Sequence, residues 1–199
     1  MTSNQSRREV ILLALRAAGI TTLAGGSTLL SACASGSDRH LNATSSDFTN
    51  AQIAWLDEVS ETILPATDTP GAKAAVVGAF IAVMVTDTYS PDERRVFMDG
   101  MTTLESECIS TFQRGYLEAD AKQRQELLIR LDKEAHDYAL TLGAEETPHY
   151  FSMIKQLTVL GYFTSEIGYT QAMRYVETPG RWDPCVDYKP GERAWARHA

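Results

Sequence analysis

The chain has 199 residues, with 18 basic and 26 acidic side chains and a formal net charge of −8. That length suits one domain with its own hydrophobic core, and an acidic chain without a basic run has no electrostatic reason to hold nucleic acid. Its three cysteines form neither a C-x-x-C-H haem attachment motif nor, with the histidines, a clustered set of zinc spacing.

The first predicted element is an export leader over residues 1–34. Ser6-Arg7-Arg8-Glu9-Val10-Ile11-Leu12 opens a moderately apolar stretch that runs to Ala32. A paired arginine before a weakly hydrophobic core is the signal read by the twin-arginine translocase, which carries folded cargo. Arg16, Gly19, Gly25 and Gly26 interrupt the core, which falls short of the roughly 20 mainly apolar residues of a spanning helix. An ordinary secretory signal or an anchor helix is the competing reading.

The leader closes on Leu30-Ser31-Ala32-Cys33, the form of a lipobox, where a bacterial prolipoprotein is acylated on cysteine and cleaved before it. Each buried methylene of an acyl chain contributes about 0.8 kcal/mol, so several chains anchor firmly. Ala32-Cys33-Ala34 also satisfies the small-x-small pattern of ordinary cleavage, which would leave a soluble protein starting near Ser35. Lipidation at Cys33 is preferred, because the cysteine follows a leucine pair at the right distance. The expected address is the periplasm, with the protein held at the membrane. The leader takes away three arginines against one glutamate, so the remainder is more acidic still.

Residues 35–46 are small and polar and read as a flexible tether. A single helical domain is expected over 47–199. Thr49 with Gln52 makes a capping box for a first helix with Ile53, Leu56, Ile63 and Leu64 on its apolar face, and Pro65 stops it. After the loop from Pro65 to Gly71, a second helix rich in alanine and valine runs from Ala72 to about Asp87. Ser90-Pro91-Asp92-Glu93 caps and starts a third. This one runs to about Arg114 with Phe97, Met101, Leu104, Cys108 and Phe112 inward. A fourth spans about Asp120 to Leu142 through Leu127, Leu128, Leu131, Ala135 and Tyr138, ended by Gly143. Thr147-Pro148 repeats the capping logic for a fifth, through Met153, Ile154, Leu157 and Leu160 to about Phe163. A short sixth follows Thr164. From about residue 177, Pro179, Gly180, Pro184, Pro190 and Gly191 prevent any long regular element. The predicted fold is all-α, a compact bundle of five to six helices with an irregular C-terminal arm.

The search for chemistry finds no catalytic set. There is no G-x-G-x-x-G, G-x-S-x-G or H-E-x-x-H. Asp132 and His136, one turn apart, have a spacing that can hold a metal, but an ion pair or a capping contact is the commoner cause, and no metal is expected. Glu105 and Glu107 are two apart and face different sides of a helix. His149 reads as solvated, with Tyr150 and Phe151 in the core. Cys108 and Cys185 can pair in an oxidising compartment if their Cα atoms come within about 7 Å; otherwise Cys108 reads as a small buried apolar residue.

Two stretches are more specified than plain connections need. In the first, Pro65 and Pro70 stiffen a short loop while Thr67, Asp68 and Thr69 can bond backbone groups locally, ahead of Gly71. In the second, Thr164 or Ser165 can cap a new helix with Glu166 in its first turn. Well-made helix connections are one reading. The other is a surface that meets a second protein, with Tyr162, Phe163 and Tyr169 as aromatic anchors.

Ile-Leu-Pro-Ala-Thr-Asp-Thr-Pro-Gly-Ala-Lys-Ala at 63–74 and Gly-Tyr-Phe-Thr-Ser-Glu-Ile-Gly at 161–168 resemble two signatures of the gluconate 2-dehydrogenase subunit 3 family. Pro179-Gly180-Arg181-Trp182-Asp183-Pro184-Cys185 is similar to its closing segment, and Arg181 and Trp182 join the interface candidates. The resemblance covers essentially residues 48–190. It implies a small accessory subunit without catalytic residues or a cofactor of its own. Its expected partner is an FAD-binding large subunit resembling glucose–methanol–choline oxidoreductases, often with a multihaem cytochrome c subunit. The large subunit generally lacks an export signal, so the small subunit's leader carries the pair through the twin-arginine translocase. Two alternatives are a stand-alone envelope lipoprotein that binds a small ligand and a structural envelope lipoprotein.

Overall fold

The computed structural model describes residues 47–143, 146–178, 180, 185, 187 and 189–196. The leader with Arg7, Arg8 and Cys33, the tether, and Arg181 and Trp182 lie outside the described residues. Five α-helices follow in order, α1 (Asn50–Ile63), α2 (Val77–Thr88), α3 (Pro91–Phe112), α4 (Ala121–Thr141) and α5 (Tyr150–Thr164), and then a π-helix (Gly168–Ala172). The all-α expectation holds: among the described residues there is no strand ladder, only an isolated parallel bridge between Arg174 and Trp195. None of the described helices is long and apolar enough to cross a membrane.

Local chemistry explains the helix starts. Thr49–Gln52, Ser90–Glu93 and Asp120–Gln123 each form a reciprocal capping box, in which two orphan N–H groups find side-chain acceptors, each cap contributing about 1 kcal/mol. Pro91 occupies the first turn of α3, where its missing N–H is no loss.

Helix α5 organises the core and packs against all four other α-helices. It buries Tyr150, Phe151, Met153, Ile154, Leu157, Thr158, Gly161 and Tyr162. Leu56 and Val59 of α1, Ile81 and Val85 of α2, Phe97 and Leu104 of α3, and Leu131 of α4 are fully buried in the same cluster. Each such side chain contributes about 1.5–3 kcal/mol by leaving water. One buried polar pair crosses this core. Thr158 donates to the Ile154 carbonyl (2.9 Å), which leaves Ser60 as the donor in its 3.2 Å contact with Thr158.

Three expectations need correction. Helix α2 starts at Val77, because residues 72–76 are turns. Leu160 is 46% exposed and Tyr138 is exposed as well, since the apolar stripe of α5 runs through 153, 154, 157 and 161 and leaves 160 off its edge. The cap of α5 is His149, not Thr147. The expected short sixth helix after Thr164 is present, as the π-helix Gly168–Ala172.

Candidate functional site at the junction of the two signature stretches

The loop after α1 is held by acids that α1 itself supplies. Glu61 accepts from the Ala66 N–H at Oε1 (2.9 Å) and from the Lys73 N–H at Oε2 (2.8 Å). One turn earlier, Asp57 Oδ1 accepts from the Gly78 N–H at 2.8 Å. Burial raises the Asp57 carboxyl above its ordinary range, opposed by that hydrogen bond and by the charge of Lys73. Glu58 pairs with Lys73 and, at 2.8 Å, with Arg124 of α4. The bond from Lys73 and the one from Arg124 hold its carboxyl below the ordinary range against desolvation. Within the loop, Thr67 N–H donates to Thr69 O and Ala72 N–H to Leu64 O, each at 2.9 Å.

This scaffolding presses the backbones together. A Cβ on Gly71 would lie 2.3 Å from Glu61 Oε1, and one on Gly78 would lie 2.5 Å from the Ile53 carbonyl oxygen. Neither position has room for any other residue without a shift of α1 or of the loop. Just before α2, Val76 sits at φ 56°, ψ 39°, a left-handed conformation that costs an L-residue about 1–2 kcal/mol. A β-branched side chain there is a marked outlier, tolerated because bonds on both sides over-determine the turn.

The second stretch closes onto this loop. Tyr162 donates its hydroxyl to the Pro70 carbonyl at 2.7 Å, with Thr69 Oγ1 at 3.4 Å. Ser165 donates to the Tyr162 carbonyl (2.7 Å) and accepts from the Gly168 N–H (3.0 Å). It is therefore Ser165 that caps the new turn, while Thr164 bonds back to Leu160 O at 2.7 Å. A Cβ on Gly168 would fall 2.0 Å from the Tyr162 carbonyl oxygen, so this sharp reversal requires glycine.

Tyr162, predicted as an exposed anchor, is instead 4% exposed. Its hydroxyl is spent on joining the two stretches. Phe163, edge-on to it at 5.1 Å, is 37% exposed, and Pro65, Thr67, Asp68, Thr164 and Glu166 are exposed too. Pro70 and Tyr169 are half-buried and Gly71 is buried. The arrangement has a rigid, hydrogen-bonded floor with threonine, acid and one phenylalanine facing outward.

The chain matches the family described as gluconate 2-dehydrogenase subunit 3 over residues 50–180. It belongs to that family. The shared span starts at the first residue of α1 and takes in both signature stretches and the π-helix. No curated protein and no solved structure matches the chain.

In this member of the subunit 3 family the other candidates are dispersed. Asp132 pairs with Lys155 at 2.5 Å instead of turning to His136. Both residues line an open groove of about 810 Å³ between α4 and α5, with Ile129, Ala139, Val159 and Leu160. No group of three or more potential metal-ligating side chains gathers among the described residues. Cys108 is buried, Cys185 is exposed, and both are free thiols. His149, expected in solvent, has a side chain only 12% exposed. Its Nδ1 accepts from the Phe151 N–H at 3.2 Å, and burial lowers its pKa below the ordinary imidazole value despite Glu134 and Glu107 nearby.

The residues that the sequence reading passes over are Asp57, Glu61 and Val76. A signal existed for the first two: acids at i and i+4 on a helix that ends at a proline-bounded loop are placed to receive N–H groups of the returning chain, Ala66 and Lys73 at Glu61 and Gly78 at Asp57. Nothing in the sequence marks a valine for a left-handed turn.

Proposed function

We propose that this protein is the non-catalytic small subunit of a periplasmic, membrane-associated, FAD-dependent dehydrogenase. It binds the flavoprotein subunit, supports its maturation and takes it through the twin-arginine route. The observation that carries this reading is the Tyr162–Pro70 hydrogen bond. It fuses two signatures of the family into one rigid surface whose outward residues, Thr67, Asp68, Phe163, Thr164 and Glu166, have no catalytic geometry but suit contact with a protein. An apolar anchor beside polar groups on a preorganised backbone is what a specific interface asks for. FAD, and haem c where a cytochrome subunit is present, belong to the partners in this reading. The Arg7-Arg8 leader supplies the route and Cys33 the lipid anchor.

The test is purification from the native cells with a tag after Ala199. A yellow, FAD-containing subunit that co-purifies, and that separates when Phe163→Glu is introduced, supports the assignment. A colourless monomer under gentle conditions overturns it. A second reading, an envelope lipoprotein with its own small ligand, is favoured by the groove between α4 and α5. It predicts a bound organic molecule in the purified monomer.

A further inference from the structure

Helices α4 and α5 each carry apolar side chains outside the core. Ile129 of α4 is 63% exposed, and Val159 and Leu160 of α5 are exposed as well. The buried core cluster includes none of the three, so the fold does not account for them. Single exposed apolar side chains are ordinary, but these three converge on the open groove of about 810 Å³ between the two helices. One wall runs from Ile129 to Ala139 and the other from Ser152 to Leu160. At 1.5 Å per residue those spans are about 15 and 12 Å, the length of two to three helical turns. A neighbouring helix can therefore lie along the groove.

The charges on this face say whose helix that is. Asp132 on the α4 wall bonds Lys155 on the α5 wall at 2.5 Å, and both side chains stay half-exposed. Beside them on α4, Lys133 pairs with Asp137, also at 2.5 Å. The face thus holds two acids and two bases, on a chain whose formal charge is −8. Net charge of that size makes two copies repel each other, but this face adds nothing to the repulsion. An ion pair that straddles a groove is also self-complementary. Under a two-fold axis along the groove, α4 of one copy lies on α5 of the other. Asp132 then meets Lys155 of the second copy, Lys155 meets its Asp132, and four charges alternate. Tyr138 lies beside His149, with ring centres 5.8 Å apart, and Asp132 beside Lys155, so α4 and α5 run antiparallel. Ile129 and Val159 are therefore level, one turn beyond the ion pair, and the same rotation sets Ile129 of each copy against Val159 and Leu160 of the other.

We infer that this chain forms a homodimer through the α4–α5 face, two copies packing groove to groove about a two-fold axis that runs along it. Apolar contact between Ile129 and the Val159–Leu160 pair drives the association, and the alternating Asp132 and Lys155 charges set its register. The dimer covers the groove, and it does not rest on the accessory-subunit reading.

The test is sedimentation velocity on the full chain at rising concentration, to about 1 mM. The unaltered chain is expected to pass from monomer to dimer, and a monomer throughout overturns the proposal. Ile129→Glu, at a position with no share in the core, is expected to weaken association about tenfold or more while the circular dichroism melt stays in place. A dimer undiminished by that change belongs to another face and overturns the assignment. A second variant leaves the apolar residues alone and exchanges the charges, Asp132→Lys together with Lys155→Asp. It keeps the ion pair within each copy and between like copies, so it is expected to dimerise with itself. Its pairing with fluorescently labelled unaltered chain is expected to be about tenfold weaker, because like charges then face each other across the axis. Free exchange between the two overturns the two-fold arrangement. No flavoprotein enters the measurement, so its failure leaves the accessory-subunit reading untouched.

Discussion

The two ends of α5 are built in opposite ways. At its C-terminal end the backbone is fixed by groups remote in sequence: Tyr162 reaches Pro70, 92 residues away, and Gly168 turns where no side chain fits. At its N-terminal end the hydrogen bond that starts the helix is local, although Tyr150 packs closely on Gly100 of α3. His149 caps the helix two residues ahead, and in the preceding connection a Cβ on Gly143 would meet its nearest neighbour at an ordinary 3.6 Å. Both ends are ordered, but only at the first does a side-chain hydrogen bond reach a backbone carbonyl remote in sequence. The second signature-like stretch, residues 161–168, lies at that end, which ties it to a backbone held by remote contacts.

The sharpest way to break the comparison is to put the same methyl group at both ends. Gly168→Ala is expected to cost about 3 kcal/mol or more, because the obstacle is a carbonyl of the backbone and cannot swing away. Gly143→Ala should stay within about 0.5 kcal/mol. Urea unfolding measures both, and equal losses would dissolve the distinction. Glu61→Ala comes next, with a loss of about 1–2 kcal/mol as two loop N–H groups exchange a carboxylate for water. Hydrogen exchange should show the Ala66 and Lys73 amides losing protection while α4 keeps its own.

Tyr162→Phe removes the bond to Pro70 and the longer contact with Thr69 and is expected to cost about 1 kcal/mol. A larger loss would mean that the hydroxyl organises more than the loop. Val76→Gly should stabilise by about 0.5 kcal/mol, since relief of the left-handed strain exceeds the added freedom of the unfolded chain; a destabilised variant would remove the case for strain.

The last prediction concerns the N-terminal end and is a matter of slope. Burial, the largest influence, lowers the folded-state pKa of His149 from its ordinary 6.5, so the unfolded chain takes up a proton first as pH falls. The contribution of this residue is complete above about 6.5 and is lost as pH drops through the folded value. In melts recorded from pH 7.5 to 5, His149→Asn, which still caps the helix, should flatten that decline. An unaltered slope would assign it to other groups.

Much of this architecture is legible in the sequence, for identifiable reasons. The starts of α1 and α3 can be read because the cap and its partner lie three residues apart, at Thr49–Gln52 and Ser90–Glu93. The stripe of α3 through Phe97, Met101, Leu104 and Cys108 can be read because each residue is buried where a helical period puts it. Helix α5 is harder. It is apolar on most sides, so periodicity does not say that Leu160 faces out while Tyr162 faces in. At the candidate site the two motif strings are visible, but their junction is not, because a side chain bonding a carbonyl 92 residues away leaves no local pattern. The Arg174–Trp195 contact is hidden for the same reason, a single bridge having no period to detect.

The contrast between the two free thiols gives the domain a built-in counter of its own unfolding. Cys185 is exposed and Cys108 is buried in the core cluster, so a maleimide dye added to native protein attaches at 185 within the domain. Once that position is occupied, further labelling takes place at 108, and only in molecules whose core has opened. The slow uptake of a second dye, of a different colour, therefore reports how often the bundle comes apart under conditions where no melt could be seen.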